Sequence, residues 1–284
     1  MEKPPLYLRA GIATYLFFAA IGFRRFPGFK GVFYRLYHRL TQKRGVIALT
    51  TRTKTRLSID LRDDIIATSL IEYGEWEPSL TRLLERLVRP GMTVVDIGAH
   101  VGYYTTLCAR LVGQGGRVIS FEPEPYNYSL LTHNTQSLDN CTIFNRGVSN
   151  AEGSATLYLA EGNLGAHSMH VKSGSATTIQ TVVLDDFLLD TTVDVVKMDI
   201  EGNEPQALAG MQKILSHTRY LIFEYIPGYV SSPEGMFTQL SKAGFTLYEL
   251  SHDTGELLLL ASIPTEKRVF NIVGMKEALQ ASAQ

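Results

Sequence analysis

Apolar positions along this chain change period from one stretch to the next. Leu80, Leu83, Leu84, Leu87 and Val88 recur at the spacing of an amphipathic helix, and Pro90-Gly91 ends the run. Short apolar runs at 94–97, 116–121, 141–145, 193–198 and 220–223 read as strands, and helices are expected over 103–112, 125–137, 204–215 and 233–243. Strands alternating with helices predict an α/β sheet with helices on both faces. The third strand is expected to continue through 146–149, and 270–273 to add an edge strand. Alternation at 153–159 and 178–183 predicts a hairpin inserted before the fourth strand, closed by the glycine-rich loop 161–174. Residues 245–250 and 257–261 read as paired late strands. Ahead of the sheet, 46–49 and 57–61 alternate as a small β-hairpin, and 63–71 reads as a helix.

The turn after the first strand carries the first chemical signal, Val94-Val95-Asp96-Ile97-Gly98-Ala99-His100-Val101-Gly102-Tyr103-Tyr104-Thr105. A strand, a glycine-bearing turn and a helix form the opening unit of a nucleotide-binding sheet. Glycine lets backbone approach a ligand closely, and a helix start offers free N–H groups. Only Gly98 and Gly102 are present, so the third glycine of the dinucleotide fingerprint is missing. That disfavours a pyrophosphate on the helix N-terminus and an NAD-dependent oxidoreductase. Asp96 ends the strand, where a carboxylate faces a cation better than a phosphate. The pattern Asp-x-Gly-x-x-x-Gly suits S-adenosylmethionine, whose amino-acid end carries an ammonium. Glu122 follows about 20 residues later at the end of the second strand, where an acid binds a ribose hydroxyl pair. Val148 and Ser149, at the expected end of the third strand, are candidate adenine contacts.

The whole chain bounds this reading. At 284 residues it holds one large domain or a domain with an appendage. Its 27 basic and 28 acidic residues argue against a nucleic-acid partner. Cys108 and Cys141 read as reduced core thiols, and no C-x-x-C or H-E-x-x-H occurs. Residues 1–44 read as a separate extension, apolar over 6–23 with Arg9 as the one charge, then basic and aromatic. It is marginal in length for a membrane span and lacks a basic leader or a clean cleavage site. Three readings stay open: a helix packed on the domain or on a second subunit, a peripheral membrane contact through 6–44, or a span anchored by Arg24 and Arg25. Each leaves residues 45–284 cytoplasmic. The oligomeric state is not legible.

A second motif closes the fourth strand: Val195-Val196-Lys197-Met198-Asp199-Ile200-Glu201-Gly202, with Pro205 in the first turn of the following helix. Strand alternation would put Asp199 and Glu201 on one side if the strand ran that far. Taken together, VVDIGAHVGYYT (94–105), FEPEP (121–125), VVKMDIEGNEPQALAGM (195–211) and LIFEY (221–225) resemble the FkbM family of S-adenosylmethionine-dependent methyltransferases. The likeness runs over residues 72–273. It implies a Rossmann-like class I methyltransferase fold and O-methylation, commonly of sugar or polyketide hydroxyls, hence a small-molecule or glycan acceptor. By position it implies that Asp96, Gly98, His100 and Gly102 line the methionine end of the cofactor, that Glu122 holds the ribose, and that Asp199 borders the transfer crevice. Ala99, Tyr103 and Pro123 complete the expected cofactor set.

A sugar hydroxyl has a high pKa, so a base near its oxygen would assist transfer. Asp199, Glu201, Glu224 and His167 are the candidates, with His252 a weaker fifth. Helix caps and ion pairs are the plainer reading of the carboxylates, and hydrogen-bonded or solvated loop residues that of His167, His170 and His252. Asp199 and Glu224 at adjacent strand ends also suit a Mg²⁺, which prefers oxygen ligands, although no metal is the favoured reading. Residues 73–78, around Trp76, read as core packing or as a lid over the crevice. The rival classes are an inactive methyltransferase-like scaffold and a membrane-bound adaptor.

Overall fold

A computed structural model describes residues 45–160, 163–170, 174–230 and 232–276; the 1–44 extension, with its three readings, lies outside them. The described residues fall into two compact units, one of 45–76 with 163–165 and one holding the rest. In the first, β1 (Val46–Thr50) and β2 (Arg56–Asp60) pair antiparallel as the expected hairpin. Helix α1 (Asp64–Tyr73) starts where the Asp63 carboxylate accepts the Ile66 N–H, and stops at left-handed Gly74. An Arg52–Glu75 ion pair joins the hairpin turn to the segment after α1, and Trp76 is half-buried.

In the second unit the chain runs α2 (Pro78–Leu87), β3 (Thr93–Ile97), α3 (Tyr103–Val112), β4 (Arg117–Phe121), α4 (Pro125–Thr135) and β5 (Cys141–Phe144). A small three-stranded sheet follows, from β6 (Gly147–Val148), β7 (Gly153–Tyr158) and β8 (Ala176–Val182), and then α5 (Leu184–Phe187). The chain returns through β9 (Val195–Met198), α6 (Glu204–Ala209), α7 (Gln212–His217), β10 (Tyr220–Tyr225), α8 (Pro233–Lys242), β11 (Phe245–Leu250), β12 (Leu257–Leu259) and β13 (Phe270–Lys276).

The main sheet has the order β12-β11-β13-β10-β9-β3-β4-β5, with β10, β9, β3, β4 and β5 parallel. From β3 the chain steps outward to β4 and β5, then comes back to lay β9 on the other side of β3. Strand order reverses at that point, so a crevice opens at the carboxyl ends of β3 and β9. One sheet face, including Val95, Ile97, Val196, Met198, Leu221 and Phe223, packs on Leu208, Met211, Leu215 and Leu240. The alternate residues Ser120, Asp96 and Lys197 are register partners on the opposite face.

Four expectations are corrected. Strand β5 does not continue to 149: the Asn145 amide donates to the Glu122 and Pro123 carbonyls, and Gly147-Val148 leave to pair with β8. The helix expected over 204–215 breaks at Gly210, where a side chain would lie 2.1 Å from the Ser149 carbonyl oxygen. Strand β9 stops at Met198, and Glu201 takes a left-handed φ of 53° rather than extending the strand. Finally, 270–276 is no edge: β13 lies between β10 and β11, hydrogen-bonded on both sides and buried from Phe270 to Met275.

Candidate active site

The turn from β3 into α3 is set by protein contacts first. Gly98 (φ +76°) sits where a β-carbon would lie 1.9 Å from the Asp199 carbonyl oxygen, and Gly102 (φ +90°) where one would meet Leu131 Cδ1 at 2.7 Å. Both glycines thus serve close packing within the protein, in addition to any access they give a ligand. Gly98 and Ala99 N–H donate to the Phe121 carbonyl, and His100 holds a left-handed φ of 52°.

Beneath the turn lies a buried polar row. Asp96, 1 % exposed, accepts the Thr105 hydroxyl on Oδ2 at 2.7 Å, and Thr105 Oγ1 lies 2.9 Å from Ser120 Oγ. Lys197, 4 % exposed, places its Nζ 3.7 Å from Asp96 Oδ1 and 3.7 Å from Asp199 Oδ2. The same ammonium sits 5.1 Å from the Tyr104 ring centroid and 3.4 Å from the Gly98 carbonyl oxygen. Burial works against the lysine charge, but Asp199 and Asp96 hold its pKa above the ordinary value. Burial pushes Asp96 up, opposed by Lys197 and Thr105. Glu77 completes the frame, accepting the Tyr104 hydroxyl at 2.8 Å and the Asn271 amide at 3.1 Å. None of Lys197, Tyr104, Glu77 and Asn271 stood out as chemistry in the sequence. The legible signal was a lysine flanked by Val196 and Met198, a charge inside an apolar strand.

On the β4 side, Glu122 is 5 % exposed and accepts the His100 N–H at 2.8 Å and the Glu124 N–H at 2.9 Å. Burial raises its pKa to about 7. Asn145 clamps the carbonyls of Glu122 and Pro123, fixing the strand end. Val148 is buried, and its carbonyl accepts the Asn203 amide at 2.9 Å. Ser149 donates its N–H to Val182.

Three carboxylates meet where β9 and β10 end. Oxygens of Asp199, Glu201 and Glu224 all lie within 4.8 Å of one another. Strand β9 ends early, and it is the left-handed turn, not strand alternation, that brings Glu201 back to Asp199. Glu204 holds that turn by accepting the Ile200 and Gly202 N–H groups at 3.1 and 2.9 Å. Burial, then the Asp199 charge, raises Glu201 to about 8; burial and the same neighbours raise Glu224 well above the carboxylate range. Glu224 Oε2 is buried and accepts no hydrogen bond.

The candidate histidines are placed differently. His167 Nδ1 accepts the Ala160 N–H at 3.0 Å, and His252 is exposed in the loop before β12. Next to His167, the Ser168 hydroxyl donates to the Glu201 carbonyl at 2.6 Å, and His170 Nε2 lies 2.9 Å from Asn203 Oδ1. Ser168 and His170, between β7 and β8, are therefore fastened to the carboxylate turn.

The profile described as methyltransferase FkbM domain matches residues 96–254, more than half of the chain, including Asp96, Glu122, Lys197 and the three clustered carboxylates. The chain belongs to the FkbM family. It is an S-adenosylmethionine-dependent methyltransferase. Among the relatives of this FkbM chain, the hexuronic acid methyltransferase AglP of Haloferax volcanii is 27 % identical over 59 % of this chain and 69 % of its own. The 2-O-methyltransferase NoeI of Sinorhizobium fredii is 23 % identical over 51 % of this chain and 67 % of its own. The solved structure of an S-adenosylmethionine-dependent O-methyltransferase from Thermotoga maritima is 15 % identical, covering 81 % of this chain and 77 % of that one with a TM-score of 0.42.

Proposed function

We propose that this FkbM methyltransferase methylates a hydroxyl oxygen of a saccharide. The observation that carries the reading is the cluster of Asp199, Glu201 and Glu224 at the switch point of the sheet, two of them with raised pKa values. The names of AglP and NoeI, one for a hexuronic acid and one for 2-O-methylation, support a sugar-type acceptor.

The residues fit a cationic cofactor. Glu224 Oε2 is buried and accepts no hydrogen bond, Asp96 Oδ1 has the shared Lys197 ammonium at 3.7 Å and no hydrogen bond, and among the described residues these carboxylates outnumber the one buried lysine beside them. Asp96, Gly98, Ala99, His100, Gly102 and Tyr103 would hold the amino-acid end, Glu122 and Pro123 the ribose, and Val148 and Ser149 the adenine. When bound, S-adenosylmethionine supplies a methyl group made electrophilic by its sulfonium. The chain then has two tasks, to align the acceptor and to take its proton. Glu201 takes that proton on a carboxylate oxygen, since a base near pH 7 to 8 suits the work and its pKa is raised to about 8. Glu224 stays protonated beside it, and Asp199, held by Lys197, orients the hydroxyl. His167, its Nδ1 committed to Ala160, is left out of the role.

Calorimetric titration with S-adenosylmethionine, followed by label transfer from it to saccharides, tests the reading. Saturable binding, sugar-borne label and a Glu201→Gln variant that binds the cofactor but transfers poorly are expected. Label that never reaches a sugar hydroxyl in a cofactor-binding enzyme rejects it.

A second reading takes Asp199 and Glu224, joined by Glu201, as ligands of a Mg²⁺, whose charge would relieve the crowding of the three acids. Transfer that survives excess EDTA rejects it.

A further inference from the structure

Tyr229 lies in the loop after β10 with 41 % of its surface exposed. Its N–H closes a tight turn onto the Ile226 carbonyl at 3.0 Å. The ring rests on bare backbone: a β-carbon at Gly202 would lie 3.2, 3.5 and 3.7 Å from Tyr229 Cβ, Cδ2 and Cγ. Gly202 directly follows Glu201, and its N–H is fixed by Glu204. An aromatic side chain is thus seated against the turn that carries two of the three clustered carboxylates, and part of its surface is left to solvent. Ligand sites combine aromatic side chains with a few convergent polar groups, and Tyr229 beside this turn offers that combination.

The charge around this position has one sign. Asp199, Glu201 and Glu224 meet within 4.8 Å, and Glu204 and Glu77 add charge that acts on Glu224. Among the described residues the cation paired with this group is Lys197, which is 4 % exposed and already committed to Asp96 and Asp199. In the active form an anionic sugar entering here would meet Asp199 and the ionised Glu201, with Lys197, already committed to Asp96 and Asp199, as the cation paired with them among the described residues. A neutral pyranoside has a C–H face that packs on an aromatic ring and hydroxyls that donate to carboxylates.

We propose that Tyr229 is a specificity-determining residue whose exposed surface receives the C–H face of a neutral pyranoside, so that a ring hydroxyl falls among Asp199, Glu201 and Glu224, and that this arrangement selects neutral sugars over uronic acids. The proposal rests on the saccharide O-methylation reading above.

The test uses the full chain with S-adenosylmethionine and two sets of p-nitrophenyl glycosides, the glucoside, galactoside and mannoside against the glucuronide and galacturonide. Tyr229→Ala, Tyr229→Phe and Tyr229→Trp are compared with the parent, with cofactor affinity measured for each. A neutral glycoside is expected to have a kcat/KM at least ~10-fold above the matching uronide. Tyr229→Ala should raise the acceptor KM roughly 5- to 10-fold with cofactor affinity unchanged, while Phe and Trp, which keep a ring, restore it. A uronide used as well as or better than its neutral match overturns the proposal and leaves saccharide methylation standing. So does an acceptor KM that Tyr229→Ala does not move. If no glycoside of either set is methylated by a cofactor-binding enzyme, the saccharide reading falls and the proposal with it.

Discussion

Asp96 and Lys197 are register partners on the adjacent parallel strands β3 and β9, and the lysine ammonium lies 3.7 Å from the buried carboxylate. The same ammonium reaches Asp199 at the same distance, one step beyond the strand end. A charge pair removed from water is held in place at a desolvation cost, and that cost is offset only if every member keeps its partner. The row Ser120–Asp96–Lys197 is therefore a support on which the half-buried carboxylate cluster stands.

Removal of the ammonium should expose that dependence. Lys197→Met leaves Asp96 buried beside an apolar chain, and breaking a buried pair from one side costs about 3–5 kcal/mol. A fall in Tm on the order of 10 °C is expected in thermal unfolding. Lys197→Met combined with Asp96→Asn should recover much of it, since the uncompensated charge is then gone. Equal losses in the single and double variants would contradict the pairing.

The transfer rate should follow the ionisation of its base. Glu201, raised to about 8 by burial and by Asp199, must lose its proton to accept another. The rate is expected to rise with pH through about 8, measured as kcat at saturating cofactor and acceptor. Glu201→Gln should lower kcat by roughly 10²- to 10⁴-fold and flatten the rise. A rate independent of pH across that range would remove Glu201 from the role.

Stability should move the other way. Glu122 and Glu204 are both held up to about 7 by burial, from an ordinary value of 4.5. Because the folded pKa values are raised, the folded chain binds protons that the unfolded chain has released. That contribution is complete below about pH 4.5 and is lost as the pH rises through about 7. Urea midpoints are expected to fall between about pH 5 and about pH 8, and the decline should shrink when both residues are Gln. A midpoint that rises over this interval would show that other groups dominate.

The two glycines of the turn should differ. Gly98→Ala drives a methyl into the Asp199 backbone at a positive φ, with no flexible atom to give way, and should cost ~3 kcal/mol or more. Gly102→Ala meets only the tip of Leu131, a side chain able to shift, and should cost less. Chemical unfolding of the two variants compares them directly. The reverse order would mean that the Gly98 turn relaxes.

Much of this site was legible along the chain because its signals are local. The Asp-x-Gly-x-x-x-Gly turn, Glu122 after the second strand and the Asp-x-Glu-Gly end of the fourth each lie within one element and its turn. The corrected elements failed for non-local reasons. Gly210 breaks a helix because of Ser149, sixty-one residues earlier in the numbering, and β13 is internal because β10 and β11 both pair with it. Its run Phe270-Asn271-Ile272-Val273 was nearly continuous in apolar character, as buried strands are, and that signal was available.

By itself the sequence determined the strand–turn–helix units, the family they resemble and the residue types at each strand end, since periodicity and motif spacing act over a few residues. Only the tertiary structure decided which of those residues meet. Lys197 reaches Asp96 through the register of two parallel strands, Glu201 reaches Asp199 and Glu224 through a left-handed turn, and Tyr229 rests on Gly202 across a loop. Register and turn geometry are fixed by packing and hydrogen bonding between segments distant in the chain, which no local pattern encodes.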